Sequence, residues 1–215
     1  MKINAVIFDM DGVLFDTERL SERTWLALAP QFGVPVQPAH ISRLRGGSFA
    51  NGERVFKELF GADFDFAAMH RAAHVQMDAA LAIAVPIKEG AAELLQFLRE
   101  HKIKIALASS SPRVRVLENL RQTRLEPYFD AIICGDMVTH SKPHPQIFET
   151  AAAALCEAPE NCMAIEDSYN GVRAAAAAGC KTVMVPDLDA STSETDALCA
   201  HVVKSLLQIP ALIET

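Results

Sequence analysis

Short apolar runs recur along the chain, and each of them ends abruptly in polar residues. The runs lie at residues 3–8, 103–108, 131–134, 162–165 and 182–185. Near-continuous apolar runs of this length are typical of strands in a parallel sheet that is covered on both faces. Segments with helical spacing lie between them, at residues 89–100, 112–121, 147–155 and 170–178. The alternation predicts an α/β fold with a doubly wound parallel sheet.

The interval between the first two runs breaks this alternation. It is far longer than a single crossover between parallel strands needs, and its interior carries apolar residues at the spacing of amphipathic helices. We therefore predict a small helical domain at residues 16–84. This domain is inserted into an α/β core that is formed by residues 1–15 and 85–215.

The composition excludes several classes of partner. The 20 Lys and Arg residues against 27 Asp and Glu residues give a formal net charge of -7, so the surface lacks the positive field that attracts nucleic acids and anionic membranes. No stretch reaches the roughly 18 apolar residues of a membrane span, and acidic residues come too early for a signal peptide. The 5 Cys residues form no Cys-x-x-Cys pair and lie within apolar runs, which is typical of buried, reduced thiols. We expect a cytoplasmic protein without a nucleic-acid or membrane partner.

Two pairs of carboxylates follow predicted strands. Asp9 and Asp11 come directly after the first run, and Glu166 and Asp167 follow the fourth. Because the carboxyl ends of parallel strands meet at one edge of the sheet, these four side chains are expected to converge. Asp9 and Asp11 can divide the roles of nucleophile or metal ligand and of general acid and base, although Asp-x-Asp-Gly also forms simple turns. Several oxygen ligands without His or Cys favour Mg²⁺.

Two further strand ends carry groups that can bind phosphate. Ser109 and Ser110 end the second run, where hydroxyl groups and the amides at the start of the next helix suit phosphoryl oxygens. A capping role is the alternative for Ser109. Lys142 lies in a loop that Pro143 and Pro145 stiffen, and a fixed ammonium there would offset the charge of carboxylates and phosphate. The alternative for Lys142 is an ordinary solvated lysine.

These motifs together resemble those of a known family. They stand in order at the strand ends, as Asp9-Met10-Asp11-Gly12-Val13, Ser109, Lys142-Pro143 with Pro145 and Phe148, and Glu166-Asp167-Ser168 with Gly171. The set resembles the four ordered motifs of the haloacid dehalogenase (HAD) superfamily, specifically of its phosphatase and β-phosphoglucomutase-like branch. The resemblance covers essentially the whole chain and implies a Rossmann-like core with a helical cap inserted after the first motif.

The resemblance implies a reaction and a role for each residue. Asp9 would attack the phosphoryl group and form an aspartyl-phosphate. Asp11 would protonate the leaving alcohol and then deprotonate the water that hydrolyses the intermediate. Ser109, with Ser110 beside it, would bind the phosphoryl oxygens, and Lys142 would offset their charge. The presence of Asp11 argues against dehalogenation, which has no use for a second aspartate in the first motif.

The resemblance also implies the cofactor. Mg²⁺ would be held by the carboxylate of Asp9, the main-chain carbonyl of Asp11 and the carboxylate of Asp167. Glu166 would be a further ligand or would lie next to the ligands. The partner implied is a small phosphorylated metabolite, and since no heptad pattern or evident apolar patch indicates assembly, we expect a monomer.

Two departures from the family pattern bear on the choice between phosphatase and mutase. β-Phosphoglucomutases carry a His where this chain has Ser21, and they carry an Arg for the distal phosphate where it has Phe49. A phosphatase acting on a small phosphorylated sugar or related phosphomonoester is therefore predicted. A phosphosugar mutase and a non-catalytic phosphoester-binding module are the alternatives. Arg45 and Arg71 are the candidate substrate contacts in the cap.

Several other residues of the predicted cap are assigned structural positions. His70 and His74 are four residues apart on a predicted helix, but no acidic or Cys partner completes a metal site, so an exposed surface face is predicted. Trp25, Met69 and Met77 are predicted to belong to the core of the cap rather than to a ligand pocket.

Overall fold

The computed structural model describes residues 3–213, and its centre is a sheet of parallel strands. The strands are β1 (Ala5–Phe8), β2 (Lys104–Ser109), β3 (Ala131–Cys134), β4 (Cys162–Glu166), β5 (Lys181–Met184) and β6 (His201–Val202). They are arranged in the order β3-β2-β1-β4-β5-β6, and every neighbouring pair is parallel. This confirms the doubly wound α/β fold.

Helices occupy the connections between these strands and the segment after β6. They are α1 (Glu18–Leu28), α2 (Pro38–Ser42), α3 (Phe49–Phe60), α4 (Phe66–Leu81), α5 (Ala91–Glu100), α6 (Arg113–Gln122), α7 (Gln146–Ala154), α8 (Tyr169–Ala177), α9 (Ser193–Leu198) and α10 (Ile209–Ile213). Helices α5, α6 and α10 pack on one face of the sheet, and α7 and α8 pack on the other. None of the helices within residues 3–213 is long and apolar enough to cross a membrane.

The central strand shows why its sequence is almost continuously apolar. Val6 and Phe8 belong to the hydrophobic cluster on one face, and Ala5 and Ile7 belong to the cluster on the other. Successive side chains of a strand point to opposite faces, so a strand covered on both sides has no position for a polar residue. The first polar side chain can therefore appear only where the strand ends, at Asp9.

Strand register aligns the carboxyl ends of β1, β2 and β4. Phe8 is level with Leu107 of β2 and with Ile165 of β4. The residues that come next in the three segments, Asp9, Ala108 and Glu166, are therefore level with one another as well. The sheet thus brings together three positions that are widely separated in sequence, at the edge where parallel sheets bind ligands.

Helices α1–α4 lie between β1 and α5 and have a hydrophobic cluster of their own, built around Trp25, Phe56 and Phe66. We refer to residues 18–81, which hold these four helices, as the cap. The segment that leaves the core and the segment that returns to it run next to each other, since Phe15 forms an antiparallel bridge with Ile87. The proposed domain boundaries at residues 16 and 84 fall next to this bridge and stay a prediction.

Two details differ from the sequence-based expectation. Strand β6 was not expected, because it comprises two exposed residues and carries no apolar run. The thiols are free, as expected, but they are not all buried: Cys156 is exposed and has a positive φ of 55°, just after the end of α7. Cys156 is exposed because it lies in the turn after the helix, although an apolar run precedes it.

The aromatic cluster of the cap predicts the effect of removing its central ring. Phe56 is fully buried, and its ring centre lies 5.4 Å from that of Trp25 and 5.2 Å from that of Phe66. We expect Phe56→Ala to lower the free energy of unfolding by about 3–5 kcal/mol in urea denaturation, because it leaves a cavity. Val75→Ala, on an exposed position of α4, should change it by less than about 0.5 kcal/mol. Equal effects of the two substitutions would contradict this packing.

Candidate active site

Lys142 lies at the centre of the predicted site and is fully buried in the loop before α7. Its Nζ donates hydrogen bonds to Oδ1 of Asp9 at 2.5 Å, to Oε1 of Glu166 at 2.6 Å and to the main-chain oxygen of Ala108 at 3.0 Å. It also lies 5.0 Å from the centre of the Phe148 ring. The three acceptors come from β1, β2 and β4 or from the residue that follows, so one ammonium group joins the ends of three strands.

The electrostatics of this group favour a charged lysine. Burial alone would lower the pKa of Lys142, but the carboxylates of Asp9 and Glu166 raise it above its ordinary value. Burial raises the pKa of Asp9 well above the usual range, and Lys142 opposes that shift. A buried charge is tolerated when it is paired and fully hydrogen-bonded. Lys142 therefore remains protonated and offsets the negative charge of the carboxylates around it.

Asp11 is held by two hydroxyl groups. Thr17 Oγ1 donates to its Oδ1 at 2.6 Å, and Ser111 Oγ donates to its Oδ2 at 3.0 Å. The turn that places it depends on Gly12, which has a positive φ of 82° and whose amide donates to the main-chain oxygen of Phe15 at 2.8 Å. The carboxylate of Asp11 therefore has a fixed orientation.

Asp167 approaches this turn closely. A Cβ at Gly12 would lie 2.1 Å from Oδ2 of Asp167, so glycine is needed there for space as well as for its backbone angle. Burial, and then the neighbouring carboxylate of Glu166, raise the pKa of Asp167 well above its usual value. Within residues 3–213, no Lys or Arg forms an ion pair with Asp167. It is a buried acid that lacks a protein counter-charge.

The carboxylates of Asp9, Glu166 and Asp167 fit a divalent cation. One oxygen from each lies within 4.8 Å of the others, and this all-oxygen donor set is the kind that Mg²⁺ prefers. Glu166 is heavily engaged already, since its Oε2 accepts hydrogen bonds from the main chain of Asp167 and from Ser168. Asp9 and Asp167 are thus the candidate direct ligands, and Glu166 orients the loop that carries Asp167. The predicted contribution of the Asp11 carbonyl stays a prediction.

The serines after β2 are placed differently from one another. Ser109 is fully buried, and its Oγ accepts a hydrogen bond from the main-chain nitrogen of Ser111 at 3.1 Å. Ser110 and Ser111 line the cavity above the carboxylates, and Ser110 Oγ donates to the main-chain oxygen of Gly46 in the cap at 2.9 Å. In this structure Ser109 supports the loop, and its contact with phosphoryl oxygens stays a prediction.

A cavity of about 260 Å³ lies between the cap and the core. This volume is just below the ~300–1,000 Å³ of pockets for drug-sized ligands and suits a small metabolite. The core contributes Asp9, Asp11, Ser110, Ser111, Pro112 and Arg115, and the cap contributes mainly apolar and aromatic side chains. Trp25 and Met69 belong to the hydrophobic cluster of the cap, as predicted. Trp25 and Met77 line the cavity, however, so the expectation that they lie outside the ligand pocket is wrong for these two.

Arg45, one of the two predicted substrate contacts, lines the cavity but is already bound to carboxylates. Its Nη1 lies 2.7 Å from Asp189, its Nη2 lies 2.5 Å from Glu22, and its Nε lies 3.4 Å from Glu18. Asp189 belongs to the core and the other two acids belong to α1. Arg45 therefore connects cap and core. Arg71, the other candidate, is exposed and is not among the residues that line the cavity.

His70 and His74 line the cavity, so the prediction of an exposed surface face is wrong. Their spacing on α4 places them on the same side as Phe66 and Met77, and this shared face was the signal for a position in the cleft. Arg115 on α6 was missed altogether. Its Nη2 lies 3.0 Å from Nδ1 of His74, a contact between two elements whose relative placement no local pattern reveals.

The comparisons with known proteins agree with this geometry. A family model described as haloacid dehalogenase-like hydrolase matches residues 3–179. The chain is 34% identical over 181 residues to a Thermotoga maritima protein named phosphorylated carbohydrates phosphatase, covering 84% of each chain. It is also 34% identical over 184 residues to a β-phosphoglucomutase of Bacillus subtilis, covering 82% of this chain and 80% of that one.

A solved structure shows the same relationship in three dimensions. The β-phosphoglucomutase of Clostridium difficile matches with a TM-score of 0.85 and 26% identity, covering 99% of this chain and 96% of that one. The chain belongs to the haloacid dehalogenase-like hydrolase family, within its branch of phosphatases and β-phosphoglucomutases. Because the curated phosphatase and mutase relatives are equally similar, overall identity does not distinguish between those two activities.

The charge balance of the carboxylate cluster leads to a prediction for metal binding. We expect Mg²⁺ at 100 times its Kd to raise the melting temperature of the protein by roughly 5–10 °C over that in EDTA. Asp167→Asn should abolish this rise. The variant should also melt above the wild type in EDTA at pH 7, since the raised pKa of Asp167 means that its ionised form destabilises the fold. Differential scanning calorimetry measures both effects.

The control for this prediction is Asp63→Asn, which makes the same substitution on an exposed residue of the cap. It should retain the full Mg²⁺-dependent rise. An Asp167→Asn protein that also retained the full rise would show that the ion binds elsewhere.

Proposed function

We propose that this protein is a Mg²⁺-dependent phosphatase that hydrolyses a small phosphorylated sugar or related phosphomonoester through an aspartyl-phosphate. The observation that carries the proposal is the position of Asp9. Asp9 lines the cavity between cap and core, and Lys142 binds one oxygen of its carboxylate. A carboxylate that is oriented, buried and open to a small cavity is suited to act as a nucleophile.

In the first step, an oxygen of Asp9 forms a bond to phosphorus while the bond from phosphorus to the leaving alcohol breaks. The lysine contact orients the Asp9 carboxylate for this attack, and its charge opposes the negative charge that accumulates on the phosphoryl oxygens. When bound, Mg²⁺ supplies additional positive charge that the phosphoryl oxygens require.

Asp11 serves as general acid and base. It gives a proton to the leaving oxygen in the first step, and in the second it takes a proton from the water that attacks phosphorus and releases Asp9. Thr17 and Ser111 hold it in both states, because a hydroxyl group can accept a hydrogen bond as well as donate one. The carboxyl group therefore keeps its orientation when its charge changes.

Two cap residues favour hydrolysis over phosphoryl transfer between sugars. At the position where the resembling mutases carry an Arg for a second phosphate, the ring of Phe49 packs 5.3 Å from Phe66 and 5.0 Å from His70. Ser21 lines the cavity at the position of the mutase His. Phe49 supplies no charge for a second phosphate, and Ser21 is not the histidine that helps to restrain the second aspartate in the resembling mutases. Since overall similarity does not separate the two activities, these local departures support a phosphatase.

The proposal predicts phosphate release that depends on Asp9. In the presence of Mg²⁺, the wild type should release inorganic phosphate from at least one member of a panel of sugar and polyol monophosphates. Asp9→Asn should lower kcat by roughly 10⁴-fold or more, as loss of a catalytic nucleophile does. Asp11→Asn should lower it by about 10²–10⁴-fold. The exposed control Asp63→Asn should have wild-type activity.

The same assay separates the alternatives. Each hexose monophosphate is also incubated with a hexose bisphosphate, and the products are followed by phosphorus NMR. Interconversion of hexose monophosphates without net phosphate release would show that the protein is a mutase. The absence of both reactions would show a phosphoester-binding module without turnover.

A further inference from the structure

The cap end of the cavity contains a group of polar side chains that the proposed mechanism does not use. Arg115 on α6 of the core reaches across to α4 of the cap. Its Nη2 lies 2.6 Å and its Nε 3.0 Å from Oδ1 of Asp78, and its Nη2 lies 3.0 Å from Nδ1 of His74. Arg115 and His74 line the cavity, whereas Asp78 is exposed at its rim. We call these three residues the rim triad.

The rim triad leaves the cavity without an unpaired guanidinium group. The arginines among the lining residues are Arg45 and Arg115. Arg45 is bound by carboxylates of the cap and the core, and two of the three guanidinium nitrogens of Arg115 are bound by Asp78 and His74. A second phosphate on a substrate would have to displace these partners, and the carboxylate of Asp78 beside Arg115 would repel it.

His74 is presented to the cavity as a neutral group. Because the guanidinium of Arg115 donates to Nδ1, the imidazole carries its proton on Nε2. Burial, together with the nearby His70 and Arg115, lowers the pKa of His74 to about 4. The ring of His70 lies 3.9 Å away, centre to centre, and burial lowers its pKa as well. Neutral imidazoles hydrogen-bond hydroxyl groups without attracting an anion.

Aromatic rings of the cap lie beside these two imidazoles. Trp25, Phe49 and Phe66 line the cavity, and the Phe49 and Trp25 rings lie 5.0 Å and 6.2 Å from His70. Aromatic faces pack against the C–H surfaces of a carbohydrate, while the imidazole edges meet its hydroxyl groups. The environment therefore matches a neutral molecule that has both kinds of surface.

We propose that the rim triad determines specificity: His74, oriented by Arg115, binds a hydroxyl group of a neutral polyhydroxy leaving group, and Asp78 withholds Arg115 from a second phosphate. The protein then selects sugar or polyol monophosphates over bisphosphates. This inference rests on the proposed phosphatase function and specifies its substrate class. In this inference His74 contacts the substrate, Arg115 positions His74, and Asp78 excludes a second phosphate.

The first test uses Asp78→Asn, which removes the negative charge beside Arg115 while preserving the size of the side chain. The measured quantity is the ratio of kcat/KM for a hexose bisphosphate to kcat/KM for the corresponding hexose monophosphate. The wild-type ratio should be below one, and the variant should raise it roughly tenfold, which corresponds to ~1.4 kcal/mol. The matched control is Glu58→Gln, because Glu58 is also a cap carboxylate that pairs with arginines, and it is similarly exposed at 56% against 59% for Asp78. The control should leave the ratio unchanged.

The second test uses His74→Phe, which keeps a ring beside His70 and removes the hydrogen-bonding edge. The measured quantity is the ratio of kcat/KM for the hexose monophosphate to kcat/KM for acetyl phosphate, which has no hydroxyl group. We expect the ratio to fall roughly tenfold, as expected for the loss of one substrate hydrogen bond. His74→Asn, which retains hydrogen-bonding groups at this position, should restore part of it.

The outcomes separate this inference from the function on which it rests. If the wild type releases phosphate from neither acetyl phosphate nor any monophosphate, the phosphatase proposal itself is wrong. If it releases phosphate and both ratios are the same in the variants as in the wild type, only the role of the rim triad is wrong. A wild-type preference for the bisphosphate would also overturn the inference, since Arg115 would then be a binding site for a second phosphate.

Discussion

The ion pairs of Lys142 with Asp9 and Glu166 are the interaction on which the site depends. The sheet buries the side chains of Asp9, Glu166 and Asp167 at one edge, and burial opposes the ionisation of Asp9 and Asp167. One ammonium group, bound to Asp9, Glu166 and the carbonyl of Ala108, makes this arrangement tolerable and at the same time fixes Asp9, the proposed nucleophile. Removing one partner of such a buried group leaves the others uncompensated, which is usually far more costly than the pair is stabilising. Structure and chemistry thus depend on the same contact.

The negative charge of Asp167 is not compensated by a cationic side chain in the described part of the chain, and this uncompensated charge suits a divalent cation. The residue has carboxylate neighbours but no lysine or arginine partner among residues 3–213, so the protein alone leaves an excess of negative charge at the sheet edge. A divalent cation bound there would offset that excess, and cation and lysine together would make the edge attractive to phosphate. In this way the proposed function is compatible with an acidic chain of net charge -7.

The core of the site could be predicted from the sequence, but the cap side of the cavity could not. Asp9 and Glu166 end buried strands, and parallel topology alone brings strand ends together. The contact of Arg115 with His74 depends instead on how α4 of the cap lies against α6, and no local pattern specifies that packing. Likewise, Arg45 has the charge expected of a substrate contact, but it forms ion pairs with Glu18, Glu22 and Asp189. These acids come from two other segments of the chain, so the sequence around Arg45 does not reveal them.

The most direct test of the central claim is to locate the phosphoryl group during turnover. Asp11→Asn should slow the hydrolysis of the intermediate, which needs a general base. It should slow the attack of Asp9 on acetyl phosphate much less, because the leaving group of acetyl phosphate needs no proton. With acetyl phosphate and Mg²⁺, the phosphorylated form of the variant should therefore accumulate. After acid quenching and peptide mass spectrometry, the account predicts one added phosphoryl group on Asp9. A phosphoryl group on a serine or histidine, or turnover with no phosphorylated enzyme at any quench time, would contradict it.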